Sequence, residues 1–312
     1  MRIIRDTLFL DPNDRGAAAA IGNFDGVHLG HQAVIDLTRK AAFDLGAPLG
    51  VMTFEPHPRQ FFAPDAPPFR LMNAEAKAHR LRKLGVQKLY DVPFNAALAQ
   101  FTPREFAETI IVQRLGLVHV VVGADFCFGA KRAGDVETLK SLGEELGFGV
   151  TVTPLLTFEE EVSSTNIRNA LSDGRPRDAA RMLGHWHRIE GPVIRGDQRG
   201  RDLGYPTANM SITNLHQPKL GVYAVKVDVL EGPHAGSYDG AASIGVRPMF
   251  GEDNVPNIET FLFDFKGDLY GTPLSVALVD YLRPELKFDS LDALIVQMAN
   301  DCDTARKILK DV

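Results

Sequence analysis

The sequence predicts two successive domains of different class: an α/β domain built on a parallel sheet, then a small antiparallel β-barrel followed by a C-terminal helix. Three observations carry this. Through residues 1–183, short apolar runs alternate with longer segments of helical spacing or charge, the pattern of strands buried on both faces by helices. From residue 184 that alternation stops, and short runs separated by Gly and Pro follow closely on one another, as in a small barrel. A length of 312 residues allows about two domains, here 1–183 and 184–312.

Composition narrows the class of partner. The chain is 45% hydrophobic and 24% charged, ordinary for a globular protein. Its net charge of −6 gives no electrostatic footprint for nucleic acid, which would need a basic face, and stays compatible with a local basic patch around a phosphate site. The opening M-R-I-I-R-D breaks its apolar residues with charges, unlike a signal peptide. No apolar run approaches the roughly 18 residues that span a membrane. Cys127 and Cys302 are far apart and lack a C-x-x-C partner, so free thiols in a cytoplasmic chain are expected.

In the first domain, runs at 17–21, 49–54, 89–92, 118–122 and 150–154 read as strands, and 75–83, 104–114 and 136–146 as helices. Ligands of such sheets bind beyond the carboxyl ends of the strands. There the first strand passes into I-G-N-F-D-G-V-H-L-G-H, residues 21–31. A helix follows, its apolar face marked by Val34, Leu37, Ala41 and Leu45. Gly22, Gly26 and Gly30 permit positive φ or close approach of a ligand. The helix start offers free N–H groups to an anion, and His28 and His31 stand where imidazoles can hydrogen-bond nucleotide phosphates. No lysine follows the glycines as in G-x-x-x-x-G-K-[ST], and the spacing is not G-x-G-x-x-G. A zinc pair finds neither H-E-x-x-H nor paired cysteines. On H-x-x-H alone, a plain turn with surface histidines remains the alternative.

Three further stretches follow later strands. In T-F-E-P-H-P, residues 53–58, two prolines hold His57 in a stiff extended loop. V-G-A-D-F-C-F-G, residues 122–129, carries Asp125. S-S-T-N-I-R, residues 163–168, is first a helix N-cap. It also gathers the hydroxyls of Ser164 and Thr165, free N–H groups and Arg168 around one point, as holding a triphosphate requires.

In the second domain, runs at 188–193, 223–229, 241–244, 258–265 and 274–281 read as strands. The final helix shows one stripe of Leu291, Leu294, Met298, Cys302, Ala305 and Leu309, which makes Cys302 a core residue. The loop G-D-Q-R-G-R-D-L-G-Y-P-T-A-N, residues 196–209, contains Gly196, Gly200, Arg201, Gly204 and Pro206. It is either a surface turn or a place where N–H groups, the Thr207 hydroxyl and the Asn209 amide oxygen meet a nucleotide phosphate and Mg²⁺. Glu259, at the end of an apolar strand, is either solvent-facing or catalytic. Arg283, in Y-L-R-P-E, either contacts a ligand or pairs with a carboxylate.

Taken in order, these strings resemble the bacterial bifunctional riboflavin kinase/FMN adenylyltransferases (FAD synthetases) over nearly the whole chain. The resemblance implies a Rossmann-like nucleotidylyltransferase domain and a riboflavin-kinase barrel. In the first, Gly22, Asn23, Phe24, Asp25, Gly30, His57, Asp125, Ser164 and Thr165 would bind ATP, while His28, His31 and Arg168 stabilise charge on the phosphates. In the second, Thr207 and Asn209 would hold Mg-ATP and Glu259 would be the general base. Gly196, Gly200, Arg201, Gly204, Pro206 and Arg283 would line the ATP and flavin sites. Riboflavin, FMN and ATP are the implied substrates and FAD the product, with Mg²⁺ and no zinc, and no nucleic-acid or membrane partner; a homo-oligomer is left open. Two positions depart from the family pattern. Cys127 stands where arginine is frequent, with Lys131 and Arg132 as nearby cations, and Met249 stands where threonine is usual. A nucleotidylyltransferase with another acceptor is opposed by P-T-A-N and Glu259. A non-catalytic flavin-binding protein is opposed by the presence of His28, His31, Thr207, Asn209 and Glu259 together.

Overall fold

The structure, a computed structural model, describes residues 1–153, 162–196, 203–248 and 254–312. Gly200, Arg201, Met249 and the end of the run at 150–154 lie outside the described residues. The chain forms two compact units, Met1–Ala66 with Lys77–Glu161, and Pro67–Ala76 with Val162–Val312.

The first unit is a six-stranded sheet in the order β1-β4-β3-β2-β5-β6, every pairing parallel. Its strands are β1 (Arg2–Ile4), β2 (Ala18–Ile21), β3 (Leu49–Glu55), β4 (Lys88–Pro93), β5 (His119–Gly123) and β6 (Gly149–Thr153). The edge strand β1 is one that the sequence pattern did not reveal. With three residues and an exposed Arg2, it is too short to show a run. Strands β2 to β4 build outward in one direction, and β5 then returns to the other side of β2. The carboxyl ends of β2 and β5 therefore flank the switch point, the crevice where open α/β sheets bind ligands. Ala18, Ala19 and Ala20 of β2 are fully buried, as a central strand covered on both faces requires.

Helices α1 (Leu29–Asp44), α2 (Pro58–Phe62), α3 (Ala74–Lys83), α4 (Pro103–Glu105) and α5 (Val136–Leu146) connect the strands. After α4 the chain continues as a π-helical stretch, Phe106–Arg114, where a regular helix was expected. The buried face of α1 is Val34, Ile35, Thr38 and Ala42, rotated by about one residue from the stripe read in the sequence. Leu45 is exposed. Thr38 tolerates burial because its hydroxyl donates to the Val34 carbonyl at 2.7 Å.

In the second unit, α6 (Ser164–Ser172) and α7 (Pro176–Leu183) share an apolar cluster with Leu71. The barrel follows: β7 (Arg188–Pro192), β8 (Ala208–Ser211), β9 (Gly221–Val229), β10 (Gly236–Pro248), β11 (Asn254–Leu262) and β12 (Pro273–Arg283). Their order is β7-β12-β9-β10-β11-β8, all antiparallel. A bridge between Ile194 and Asn209 brings the chain just beyond β7 against β8 and nearly closes the sheet. Strand β8 is a second element absent from the sequence reading. The interior is filled by Val225, Val227, Ile244, Ile258, Val276 and Leu278 among others. The final helix, α8 (Leu291–Leu309), covers the outer face through Ala305 and Leu309 against Ala224, Ala241, Phe263 and Val279. Cys302 is half-buried in this layer, and burial raises its thiol pKa to about 11. Leu291, placed in the same stripe by spacing, is 56% exposed because the first turn of α8 runs past the sheet-facing cluster.

Candidate functional site

Two separate constellations carry the sequence motifs, one in each unit. In the first, Gly22 leaves β2 with its N–H bonded to the Met52 carbonyl. The turn then bends through three positive-φ residues, Phe24 (51°), Gly26 (85°) and Val27 (44°). Two of these are not glycine, so strain is held by packing: Phe24 and Val27 are almost completely buried. Asp25 is buried as well. His28 is the N-cap of α1, and its Nδ1 accepts from the His31 N–H at 3.4 Å. The acceptor role leaves the proton of a neutral His28 on Nε2. The His28 and His31 rings stack with centroids 3.6 Å apart and planes 19° from parallel. A Cβ at residue 30 would stand 3.2 Å from the His28 ring, which would have to shift by a few tenths of an ångström to admit it.

Burial, His28 and Lys77, in that order, hold the His31 pKa well below its usual value. His31 Nδ1 is shut off from solvent without a hydrogen-bond partner. Stacked imidazoles at a helix start are suited to receive an anion, whose approach would favour protonation of His31. Lys77 was not singled out by the sequence. It sat in a charged helical segment, and only the fold turns it inward.

His57 follows β3 and caps α2, its Nδ1 accepting from the Arg59 N–H at 3.1 Å. Asp125 follows β5 and is exposed, and the Cys127 thiol donates to its carbonyl at 3.6 Å. Because β3 and β5 flank β2, these loops emerge from the same edge of the sheet as the histidine turn. Lys131 and Arg132 are exposed residues of a short turn, both with positive φ.

In the second unit, Ser163 caps α6 by accepting from the Asn166 N–H, with Ser164 and Thr165 in the first turn. Arg168 donates to the Thr165 hydroxyl at 3.2 Å and to the Phe69 carbonyl at 3.4 Å. The His216 imidazole bonds the Arg168 carbonyl at 3.0 Å and lies 3.1 Å from the Ser172 hydroxyl, fastening α6 to the barrel.

On the barrel, β8 and β11 pair so that Asn209 stands opposite Glu259. The Thr207 hydroxyl lies 3.5 Å from Glu259 Oε2. Asn257, two residues along the same face of β11, donates to Glu259 Oε1 at 3.3 Å and to Asn209 Oδ1 at 3.5 Å. Asn257 is a second residue missed in the sequence, where nothing distinguishes it from an ordinary strand residue. A cavity of about 240 Å³ opens beside this cluster, lined by Gly196, Pro206, Thr207, Asn209, Asp268 and Tyr270 among others. Gly204, at φ 82°, turns the chain into Pro206. Arg283 stands apart from the cluster: its guanidinium is engaged by the Asp301 carboxylate of α8 at 2.7–3.0 Å.

A switch-point helix start bearing paired histidines, and a barrel edge bearing hydroxyl, amide and carboxylate beside a cavity, have the chemistry to receive phosphate groups, as a nucleotide-dependent transferase requires. Comparison with known proteins sharpens this. The FAD synthetase family model matches residues 10–166, and the riboflavin kinase family model matches residues 183–309. A bifunctional riboflavin kinase/FMN adenylyltransferase of Pseudomonas fluorescens is 41% identical over 99% of this chain and 98% of its own length. The Escherichia coli K12 protein of the same description is 40% identical over 94% of this chain and 92% of its own. A solved structure described as a macrolide-efflux protein from Streptococcus pneumoniae covers 97% of this chain and 98% of its own, with TM-score 0.82 and 31% identity. The chain belongs to the bifunctional riboflavin kinase/FMN adenylyltransferase family. Among the described residues, no helix is long and apolar enough to cross a membrane.

Proposed function

We propose that this protein makes FMN and then FAD, with the two reactions run by the two constellations described above. The observation that carries the reading is the co-occurrence, in one chain, of matches to both family models with both clusters. The barrel transfers the γ-phosphoryl of ATP to the 5′-hydroxyl of riboflavin. Glu259 accepts the proton of that hydroxyl as the O–P bond forms and ADP leaves. Thr207 and Asn209 offer oxygen donors, a hard set that fits Mg²⁺ and not zinc. Bound there, Mg²⁺ offsets charge on the ATP phosphates. Asn257 keeps the Glu259 carboxylate and the Asn209 amide in register.

The parallel-sheet site joins FMN to AMP. An FMN phosphate oxygen attacks the α-phosphorus of ATP, and the bond to pyrophosphate breaks. The attacking phosphate is already ionised, so no protein nucleophile or base is required. His28 and His31 stabilise charge as it develops, as oxyanion-hole donors do at carbon. Asn23, Phe24, Asp25, Gly22 and Gly30 shape the turn, while His57 and Asp125 are assigned to the nucleotide site. Ser164, Thr165 and Arg168 are assigned to the same step on the strength of their motif. We set the domain boundary at 183/184 and place the reaction in the cytoplasm.

The test is direct. Purified protein is incubated with riboflavin, ATP and Mg²⁺, and the flavins are resolved by chromatography. FMN should accumulate first and FAD after it, with EDTA stopping both. A protein that consumes no ATP with riboflavin or FMN overturns the reading.

A further inference from the structure

We propose that Lys77 is a positioning residue for adenylyl transfer, its buried ammonium tying the G-N-F-D-G turn to the end of β3 beside the histidine pair. The proposal rests on adenylyl transfer taking place at that turn. Lys77 lies in α3 and is 3% exposed. Its Nζ donates to the Asn23 carbonyl at 3.1 Å and to the Thr53 hydroxyl at 3.0 Å. The Thr53 hydroxyl in turn donates to the same Asn23 carbonyl at 3.2 Å. One cation thus joins two motifs from different loops, G-N-F-D-G and T-F-E-P-H-P, in a closed set of hydrogen bonds.

Two features make this more than a packing detail. The turn beyond Asn23 holds Phe24 and Val27 at positive φ, a conformation that persists only where the surroundings over-determine it. The tether at Asn23 sits immediately before that strained segment. An ammonium is also costly to bury, and an apolar side chain would fill the same space without that cost. The charge therefore has a use other than packing. His31 lies next to Phe24 at a ring distance of 5.1 Å and stacks on His28, and the Lys77 charge acts on it from α3. Both add to burial in lowering its proton affinity.

The experiment uses the full-length protein, with FMN and Mg-ATP supplied for FAD formation and riboflavin phosphorylation followed in the same preparations. Lys77→Met should lower FAD formation by ~10²-fold, the scale of a slight misplacement of catalytic groups. Riboflavin phosphorylation should be unchanged. Lys77→Arg should recover part of the loss, and the His31 imidazole, followed by NMR, should titrate at higher pH in Lys77→Met than in the parent. Near-parental FAD formation by folded Lys77→Met, or Lys77→Arg no better than Lys77→Met with the His31 titration unmoved, overturns the proposal. Should Lys77→Met not fold, Thr53→Val removes one acceptor in nearly the same shape. It should lower FAD formation with the kinase step intact, and unaltered turnover overturns the proposal. A His28→Ala arm separates the two levels. If His28→Ala is also without effect, the assignment of adenylyl transfer to this turn fails; if His28→Ala alone is impaired, only the role of Lys77 fails.

Discussion

On the proposed assignment, single side chains separate the two chemistries. Glu259 is half-buried and receives hydrogen bonds from Thr207 and Asn257, so it is oriented before a substrate hydroxyl arrives. Glu259→Gln keeps one acceptor oxygen for Asn257 in the same shape but turns the other into a donor; if Glu259 is the base, riboflavin phosphorylation should fall by ~10²–10⁴. The same variant should still make FAD from FMN at the parental rate, read by chromatography of the flavins. His28→Ala should do the converse, lowering FAD formation by ~10²–10³ while FMN still accumulates. A different kind of residue is His187, buried at the start of the barrel, whose pKa is lowered to about 3 by burial, with His216 and His185 adding. The unfolded chain binds this proton below about pH 6.5, and the native chain does not until about pH 3. Stability is therefore fully present above pH 6.5 and is lost as pH falls toward 3, at about 1.4 kcal/mol per pH unit for such a group. Urea unfolding at several acid pH values should show this slope, and His187→Gln should flatten it.

Elements act by bringing such side chains to one place. The α1 start shows how a backbone requirement and a site requirement coincide. Gly30 lies in the first turn of the helix without positive φ, so alanine is compatible with its backbone and favoured by about 1 kcal/mol in a helix. Its Cβ, however, would meet the His28 ring at 3.2 Å and disturb the stack with His31. Gly30→Ala should thus retain or gain thermal stability yet lose FAD formation, with riboflavin phosphorylation unaffected. Thermal unfolding and flavin assays on one preparation check both halves. A parental rate of FAD formation would show that the stacked geometry is not needed.

Across the whole molecule, α6 and α7 belong to the compact unit that contains the barrel. Ile167, Leu171, Ala179 and Leu183 form an apolar cluster, the Lys219 N–H bonds the Leu171 carbonyl, and Arg177 pairs with Asp280 of β12 at 2.8 Å. A fragment starting at residue 184 loses all of this and exposes the surface it covered. Both a 184–312 and a 162–312 fragment should convert riboflavin to FMN and stop there. The longer fragment should unfold at the higher denaturant concentration. Equal midpoints would mean that the helix pair contributes nothing to the barrel's stability, and a folded fragment unable to phosphorylate riboflavin would show that the kinase needs the first 161 residues.

The class of each half and the local chemistry were already legible in the order of the residues. Alternating buried runs, the glycine–histidine turn and the P-T-A-N and Glu259 clusters are encoded within a few neighbouring residues, where periodicity, capping and turn preferences act. The family resemblance added which reactions those clusters serve. Tertiary structure decided what depends on residues distant in the chain. It made Arg2–Ile4 and Ala208–Ser211 strands, because short edge segments are fixed by the partner strand and not by their own pattern. It turned α1 on its axis so that Thr38 is buried, and it paired Arg283 with Asp301 of α8. Above all it put the Lys77 ammonium on the Asn23 carbonyl and the Thr53 hydroxyl. A lysine in a charged helical segment reads as solvated, and only packing across three separate stretches of chain gives its charge a fixed place.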